Sequence, residues 1–180
     1  DGWISALADT LFKSSGEAGA DAVAEALAAG FHPTDIGEAL SLAATRLLLR
    51  DPGLVNDSPG KPKGSVHGAS IGLHASDSAH AWRNIAGVVD PVNAIASLVA
   101  AGWHTAGQGG RCNAEPLHLA AREAAAKVPE ARLVDAVAER VEARDQRMAA
   151  ALAERVTDAS ALFARLLPSF LENDGALHHE

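Results

Sequence analysis

The stretch that decides the fold covers residues 66–106, VHGASIGLHASDSAHAWRNIAGVVDPVNAIASLVAAGWHTA. Asp90 and Pro91 divide it, because Asp is a favoured N-cap and Pro is favoured at the first position of a helix. The pattern predicts one helix over residues 66–87 and a second over 91–106. Because the connection between them is short, we expect the two helices to form an antiparallel hairpin.

The rest of the chain is also helical in pattern. Asp35 followed by Glu38 has the form of a capping box, and Asp51-Pro52-Gly53 predicts a helix end and a loop. No run of alternating β-branched residues predicts a strand. We therefore expect an all-α fold, an irregular multi-helix bundle of about seven or eight helices. The other predicted helices cover about 3–12, 17–29, 35–50, 116–127, 130–156 and 158–172.

Length and composition favour one helical domain over residues 1–180. The chain has 180 residues, of which 48% are hydrophobic and only 4% aromatic. A core built from Ala, Leu, Val and Ile lets helix axes approach closely. Within this domain we distinguish a histidine-rich region, 35–107, and the C-terminal helices, 130–172. The first residues are Asp1-Gly2 and no Met precedes them, so we expect a fragment or processed form of a longer chain.

The charge pattern excludes several classes of partner. The formal net charge is −8 and the basic residues form no dense patch, which disfavours nucleic acid and anionic membrane surfaces. No apolar run reaches about 18 residues, so no transmembrane or targeting segment is predicted and we expect a soluble protein. The one cysteine, Cys112, rules out an intramolecular disulfide. We expect a buried, inert thiol unless His104 or His118 activates it.

Four side chains are candidates for a metal site. On a helix, His67, His74 and Asp77 fall on one stripe, at 100° per residue. His104 is as far after the hairpin turn as His74 is before it, so we expect the two at equal height. The predicted metal ligands are His67, His74 and His104, with Asp77 as a fourth ligand or as the group that orients an imidazole. Iron, zinc or copper would suit this set.

Arg83 is the candidate for holding an anionic substrate, or for balancing the charge of Asp77. A buried ion pair of Arg83 with Asp77 or Glu38 explains the residue equally well. Small residues surround the histidines, which indicates either close packing of another helix or a cavity for a ligand. Histidines with a purely structural role are the competing interpretation of the whole cluster.

The leading hypothesis is a metal- or cofactor-dependent helical protein, an oxidoreductase in which Asp77 and Arg83 are the catalytic residues. One alternative is a non-enzymatic binding or assembly module that acts through its C-terminal helices. Another is a non-covalent haem protein, with haem between His74 and His104. The expected partners are a small-molecule substrate or another protein chain, including a second copy of this chain or the rest of a longer one.

The stretch His74–Asn84, HASDSAHAWRN, followed by the residues WHTA at 103–106, resembles a pattern in poorly characterised bacterial all-helical domains. Such domains are found in proteins that also carry a Rieske-type iron–sulfur domain. The resemblance covers about residues 35–107. It implies that His74 and His104 are the functional positions and that the setting is redox chemistry. This chain has no iron–sulfur ligand set of its own.

Overall fold

The computed structural model describes residues 2–53, 56, 57, 59, 63 and 70–172. Every regular element of this part is helical, which confirms the predicted all-α multi-helix class. The chain divides into an N-terminal unit, Asp1–Ala114, and a C-terminal unit, Glu115–Glu180. Whether 1–180 is a single domain stays a prediction. The α-helices of the described residues are α1 Gly2–Lys13, α2 Gly16–Ala28, α3 Pro33–Leu48, α4 Ile71–Val88, α5 Pro91–Ala106, α6 Arg122–Ala125, α7 Leu133–Glu142, α8 Gln146–Ala153 and α9 Ala159–Glu172.

Helices α4 and α5 form the predicted hairpin. α5 has the predicted bounds, 91–106. Its N-cap is Asp90, whose Oδ1 accepts the backbone N–H groups of Val92 and Asn93 at 3.0 and 3.2 Å. Pro91 occupies the first helical position, where its missing N–H costs nothing. A short connection joins the two helices, and they pack against each other.

The start of α3 differs from the prediction. Pro33 is its first residue, and the N-cap is His32, whose Nδ1 accepts the N–H of Thr34 at 3.2 Å. The expected capping box of Asp35 and Glu38 is therefore wrong. An imidazole nitrogen here does what a Ser or Asp oxygen usually does, and Pro33 has a φ already suited to a helix.

The start of α4 depends on a side chain that lies just after the end of α3. Residues 66–69 of the predicted helix lie outside the described residues, and α4 begins one residue after Ser70. Ser70 Oγ accepts the N–H of Leu73 at 3.0 Å and donates to Asp51 Oδ2 at 2.5 Å. The N–H of Gly72 donates to the same Asp51 oxygen at 2.6 Å. A buried carboxylate therefore satisfies donors at the first turn of α4.

Glycine allows α2 and α5 to cross closely in the N-terminal unit. A Cβ on Gly19 would lie 2.2 Å from the Cβ of Ala106, and one on Gly102 would lie 2.7 Å from Val23 Cγ2. Neither position has room for a side chain. The surrounding core is aliphatic, as the composition predicts; its largest buried members are Leu11, Val23, Ile36, Leu40 and Leu98.

The small residues of α4 also serve helix packing. Ala75 and Ala79 are buried in one cluster with Leu47 of α3. A Cβ on Gly72 would lie 2.4 Å from the Cα of Leu48. Of the two interpretations of these small residues, the described part of α4 supports close packing against a neighbouring helix at these three positions.

The single helix predicted over 130–156 is wrong, because the chain breaks between α7 and α8. Arg144 lies in the break with a φ of 57°, in the left-handed region. The N–H groups of Arg144 and Asp145 donate to the carbonyls of Val141 and Arg140, each at 2.9 Å. This Schellman pattern ends α7. Asp145 then becomes the N-cap of α8.

Arg144→Gly is expected to raise the free energy of unfolding by roughly 0.5–1 kcal/mol, because a side chain disfavours the left-handed conformation. Gly30 is the internal comparison, since it follows α2 with a φ of 86°. Gly30→Ala should change stability in the opposite direction. Urea unfolding followed by circular dichroism measures both. An Arg144→Gly variant less stable than the parent would contradict this account of the break.

The C-terminal unit has its own core. Leu133 and Val137 of α7 and Leu152 of α8 are buried together, and Leu162 and Leu166 of α9 pack against them. Between residues 116 and 127, where one helix is predicted, the chain forms a 3-10 helix, Leu117–Ala121, followed by the single-turn α6. Within the described ranges, no helix is both long enough and apolar enough to cross a membrane.

Candidate functional site

The predicted metal ligands are only partly described. His74 and Asp77 are exposed and lie one turn apart on α4, and His104 is half-buried on α5. His67 lies outside the described residues. In the part of the chain that the structure covers, no three His, Cys, Asp or Glu side chains are grouped as a metal site would need. The ligand set of His67, His74 and His104 therefore stays a prediction.

His104 carries a buried atom with unused hydrogen-bonding capacity. Its Nδ1 is buried and has no hydrogen-bond partner among the described residues. A buried polar atom without a partner costs free energy, so such atoms indicate either a missing ligand or a structural compromise. Of the predicted ligands, His104 is the one for which the structure supplies this observation.

A cleft lies elsewhere on the same hairpin. It has a volume of about 260 Å³ and is formed by α3, the end of α4 and α5. Both polar and apolar side chains line it, which is the usual character of a small-molecule site. The lining residues are Pro33, Thr34, Gly37, His80, Arg83, Asn84, Ala86, Gly87 and Leu98.

Arg83 is the cation of this cleft. Its side chain is half-buried, and Nη1 donates to the hydroxyl of Ser41 on α3 at 2.8 Å. The aliphatic stem lies across α3 at Gly37, where an added Cβ would come within 2.9 Å of Arg83 Cγ. Gly37 therefore leaves the room in which Arg83 lies. Within the described ranges, the predicted ion pair with Asp77 or Glu38 is not formed, and a neutral hydroxyl takes the guanidinium's hydrogen bond.

Two further features add polarity to the cleft. His80 and Asn84 are exposed and lie one turn apart on α4, on either side of Arg83 in sequence. Pro33 and Thr34 belong to the first turn of α3, so the positive end of that helix dipole borders the cleft. Cation, amide, imidazole and helix N-terminus together favour a ligand with negative charge.

The sequence points to Arg83 and its neighbour Asn84, but not to His80, Thr34 or Gly37. His80 falls to one side of the stripe that carries His74 and Asp77, and Thr34 and Gly37 come from a different helix. The available signal was the spacing of His80, Arg83 and Asn84, which places them on one helical face. The contribution of α3 depends on tertiary packing, which periodicity does not determine.

Cys112 is a half-buried thiol of the N-terminal unit. Its Sγ lies 3.8 Å from the carbonyl oxygen of Leu47 and 4.0 Å from that of Gln108. Burial raises the pKa of Cys112, the Asp51 carboxylate raises it further, and Arg50 opposes this in part. A thiol with a raised pKa is mostly protonated at neutral pH and is a poor nucleophile.

We expect Cys112 in the folded protein to react with iodoacetamide more slowly than an ordinary cysteine. Because its pKa is raised, its thiolate forms at a higher pH than that of an ordinary cysteine, and the reaction rate should reach half its maximum at a correspondingly higher pH. The same chain unfolded in urea serves as the control. A native rate that reaches half its maximum at or below the pH at which the unfolded chain does so would contradict the raised pKa.

The C-terminal unit holds a separate buried histidine. His118 is 6% exposed, its Nδ1 has no partner among the described residues, and its Nε2 lies 3.6 Å from Glu154 Oε2. Arg122 binds both oxygens of the same carboxylate, with Nε at 2.7 Å from Oε2. This hydrogen bonding from Arg122 is the main cause that lowers the pKa of Glu154. The positive charge of Arg122 and the negative charge of Glu154 compensate each other, so this cluster gives no evidence for an ionic ligand.

Comparisons with protein-family models, with curated proteins and with solved structures gave no match to the chain. The resemblance of residues 35–107 to Rieske-associated helical domains therefore stays a prediction.

Proposed function

We propose that the chain binds a small molecule bearing a carboxylate or phosphate group in the cleft, with Arg83 as the residue that binds the anion. One observation carries the proposal. Arg83 is half-buried where it lines the cleft, and the only described hydrogen bond of its guanidinium goes to the neutral hydroxyl of Ser41.

Arg83 has a neutral hydrogen-bond acceptor, whereas several other arginines of the described residues pair with carboxylates. Arg46, with a side chain 21% exposed, pairs with Asp9 at 2.7 Å. Four arginines of the C-terminal unit also pair with carboxylates; they are Arg122, Arg132, Arg140 and Arg165. A partly desolvated cation is unfavourable unless an opposite charge compensates it. An anionic ligand would supply that charge at Arg83.

The size of the cleft limits the ligand. A volume of about 260 Å³ is just below the range of roughly 300–1,000 Å³ typical of small-molecule sites. His80 and Asn84 offer hydrogen bonds that would orient a second polar group. Leu98 and Ala86 supply apolar contact for the body of the molecule. A short carboxylic acid or a small phosphate ester fits this description.

Arg83→Gln is expected to weaken binding of such a ligand about ten- to a hundredfold, because a hydrogen bond to a charged group contributes roughly 1.5–3 kcal/mol. Glutamine removes the charge but keeps a polar side chain with an amide donor. Isothermal titration with inorganic phosphate, succinate and a sugar phosphate measures the dissociation constants. The matched control is Arg111→Gln, which makes the same charge change at an exposed position of the same unit.

Two results would contradict the proposal. If Arg111→Gln weakens binding as much as Arg83→Gln, the effect is general electrostatics and not the cleft. If the parent protein binds none of the three probes in the millimolar range, the proposed anion site is wrong.

A second candidate function is the metal-dependent oxidoreductase predicted from sequence, with His67, His74 and His104 as ligands and Asp77 beside them. The buried Nδ1 of His104, which has no partner among the described residues, is the observation that favours it. If the chain is such an oxidoreductase, Arg83 would bind its anionic substrate.

Elemental analysis with His74→Ala tests this candidate, and His80→Ala is the control because both histidines are exposed on α4. Stoichiometric iron, zinc or copper that is lost only in His74→Ala supports the metal site. Trace amounts of metal that are equal in the parent and in both variants contradict the metal site. A Soret band in the absorption spectrum would instead support the haem alternative.

A further inference from the structure

Gly87 lies on the face of α4 that lines the cleft. The four cleft residues His80, Arg83, Asn84 and Gly87 are spaced at i, i+3, i+4 and i+7, so they share one side of the helix. At about 100° per residue, Gly87 falls between Arg83 and Asn84 on that side. A side chain at position 87 would therefore project from the same face as the polar residues of the cleft.

The room in front of Gly87 is not filled by another described part of the chain. A Cβ added to Gly87 would have no such atom within 4 Å, whereas a Cβ added to Gly37 would lie 2.9 Å from Arg83 Cγ. Both glycines line the cleft. Gly37 therefore leaves room for a side chain of the protein, and Gly87 leaves room that is open to a ligand.

Helices α3 and α4 run antiparallel. Gly72, near the start of α4, lies against Leu48, at the end of α3. Arg83, in the second half of α4, lies against Gly37, near the start of α3. The end of α4 therefore lies level with the first turn of α3, and Thr34 in that turn lines the same end of the cleft.

We propose that Gly87 admits the body of the ligand and so determines its length, and that this body carries hydroxyl groups. The inference rests on the anion site at Arg83. That residue precedes Gly87 by one turn, about 6 Å along α4. One turn to the other side of Arg83 the cleft is lined by the side chain of His80, whereas at Gly87 it is lined by no side chain. An anion at Arg83 therefore has its body over Gly87.

The side chains that border this room indicate the chemistry of the body. Asn84 on α4 and Thr34 on α3 are polar but uncharged, and each can both donate and accept a hydrogen bond. Such groups suit hydroxyl groups and supply no charge for a second anion. The ligand class is a short phosphate monoester or carboxylate with a hydroxylated chain.

Gly87→Leu tests the proposal, with binding measured by isothermal titration. Inorganic phosphate has only the anionic group, and glycerol 3-phosphate adds a hydroxylated chain. Leucine would fill the room at position 87, so the dissociation constant for glycerol 3-phosphate should rise on the order of tenfold. The constant for inorganic phosphate should change by less than about twofold, because Arg83 is unaltered.

Gly110→Leu is the matched control. Nothing lies within 4 Å of a Cβ added at Gly110 either, and Gly110 does not line the cleft. This variant should bind both probes like the parent. Thermal melting checks that each variant is folded. If Gly87→Leu is unfolded, Gly87→Ala replaces it and should weaken glycerol 3-phosphate alone, by roughly threefold.

Propyl phosphate separates the hydroxyl groups from the length of the ligand, because it has the same three-carbon chain as glycerol 3-phosphate without them. The parent should bind glycerol 3-phosphate roughly three- to tenfold more tightly, as a neutral hydrogen bond would give. Asn84→Ala should remove that preference and leave the binding of inorganic phosphate unchanged. Equal binding of the two esters by the parent would overturn the assignment of hydroxyl groups.

Selective loss of glycerol 3-phosphate in Gly87→Leu, with Gly110→Leu unaffected, supports the proposal. Equal loss of both probes, or loss of neither, overturns it. A parent that binds inorganic phosphate but not glycerol 3-phosphate also overturns it. In these three cases the parent still binds phosphate, so the anion site at Arg83 stands. A parent that binds neither probe overturns the anion site and this proposal together.

Discussion

Asp51→Ala should lower the free energy of unfolding by on the order of 3 kcal/mol, because three donors lose a charged acceptor at a buried position. Asp51 is 2% exposed. Its Oδ2 accepts from Ser70 Oγ at 2.5 Å and from the N–H of Gly72 at 2.6 Å, and its Oδ1 accepts from the N–H of Gly53 at 2.8 Å. The carboxylate therefore joins the chain just after α3 to the start of α4.

Urea unfolding followed by circular dichroism measures this loss. Asp21→Ala is the control, because it removes an exposed carboxylate from α2 and should change stability by less than about 0.5 kcal/mol. Asp51→Asn should lie between the parent and the alanine variant, since its amide oxygen still accepts but without charge. If Asp51→Ala is no less stable than Asp21→Ala, the assigned role of Asp51 is wrong.

Gly72→Ala should destabilise the chain by about 3 kcal/mol, because overpacking at a close helix contact moves backbone and not only side chains. The added Cβ would lie 2.4 Å from Leu48 Cα and 2.8 Å from Leu48 N. Both are backbone atoms of α3, so the two helices would have to separate.

Gly87→Ala is a matched control on the same helix, because nothing lies within 4 Å of a Cβ added there. Alanine is the better helix former, so this variant should be more stable than the parent by roughly 0.5–1 kcal/mol. The two substitutions are chemically identical, and their opposite signs would show that packing decides the effect. A gain in stability at both positions would contradict the close contact of α3 and α4.

The sequence predicts the helical hairpin well because its signals are local. Asp90 and Pro91 fix the start of α5 through hydrogen bonds and backbone geometry of neighbouring residues. The start of α3 is missed although its cap is equally local. His32 is a rare N-cap, so pattern reasoning gives the role to Asp35, whose residue type is common there.

The break between α7 and α8 shows where hydrophobic periodicity fails. The apolar residues continue on both sides of Arg144 with helical spacing, so the pattern predicts one helix over 130–156. A left-handed residue that ends a helix is usually Gly, and here it is Arg. The charged pair Arg144 and Asp145 in the apolar seam is the only local sign of the break.

The candidate site is predictable only in part. The proposal that Arg83 binds an anion could be made from its residue type and its place beside the histidines. The room for its side chain comes from Gly37, and its hydrogen-bond acceptor is Ser41, both on α3. Which residues of α3 face α4 depends on the rotation of one helix against the other, and no spacing within a single helix determines that rotation.

The central claim is that Arg83 binds an anion, and the most direct test is the side-chain Nε–H signal of Arg83 in a ¹H–¹⁵N spectrum. On titration with inorganic phosphate or succinate, the Arg83 signal should shift and saturate, together with the backbone signals of Thr34 and Gly37. The signal of exposed Arg111 should move little. An Arg83 signal that does not shift with any of the probes, or that moves only as much as that of Arg111, would contradict the account.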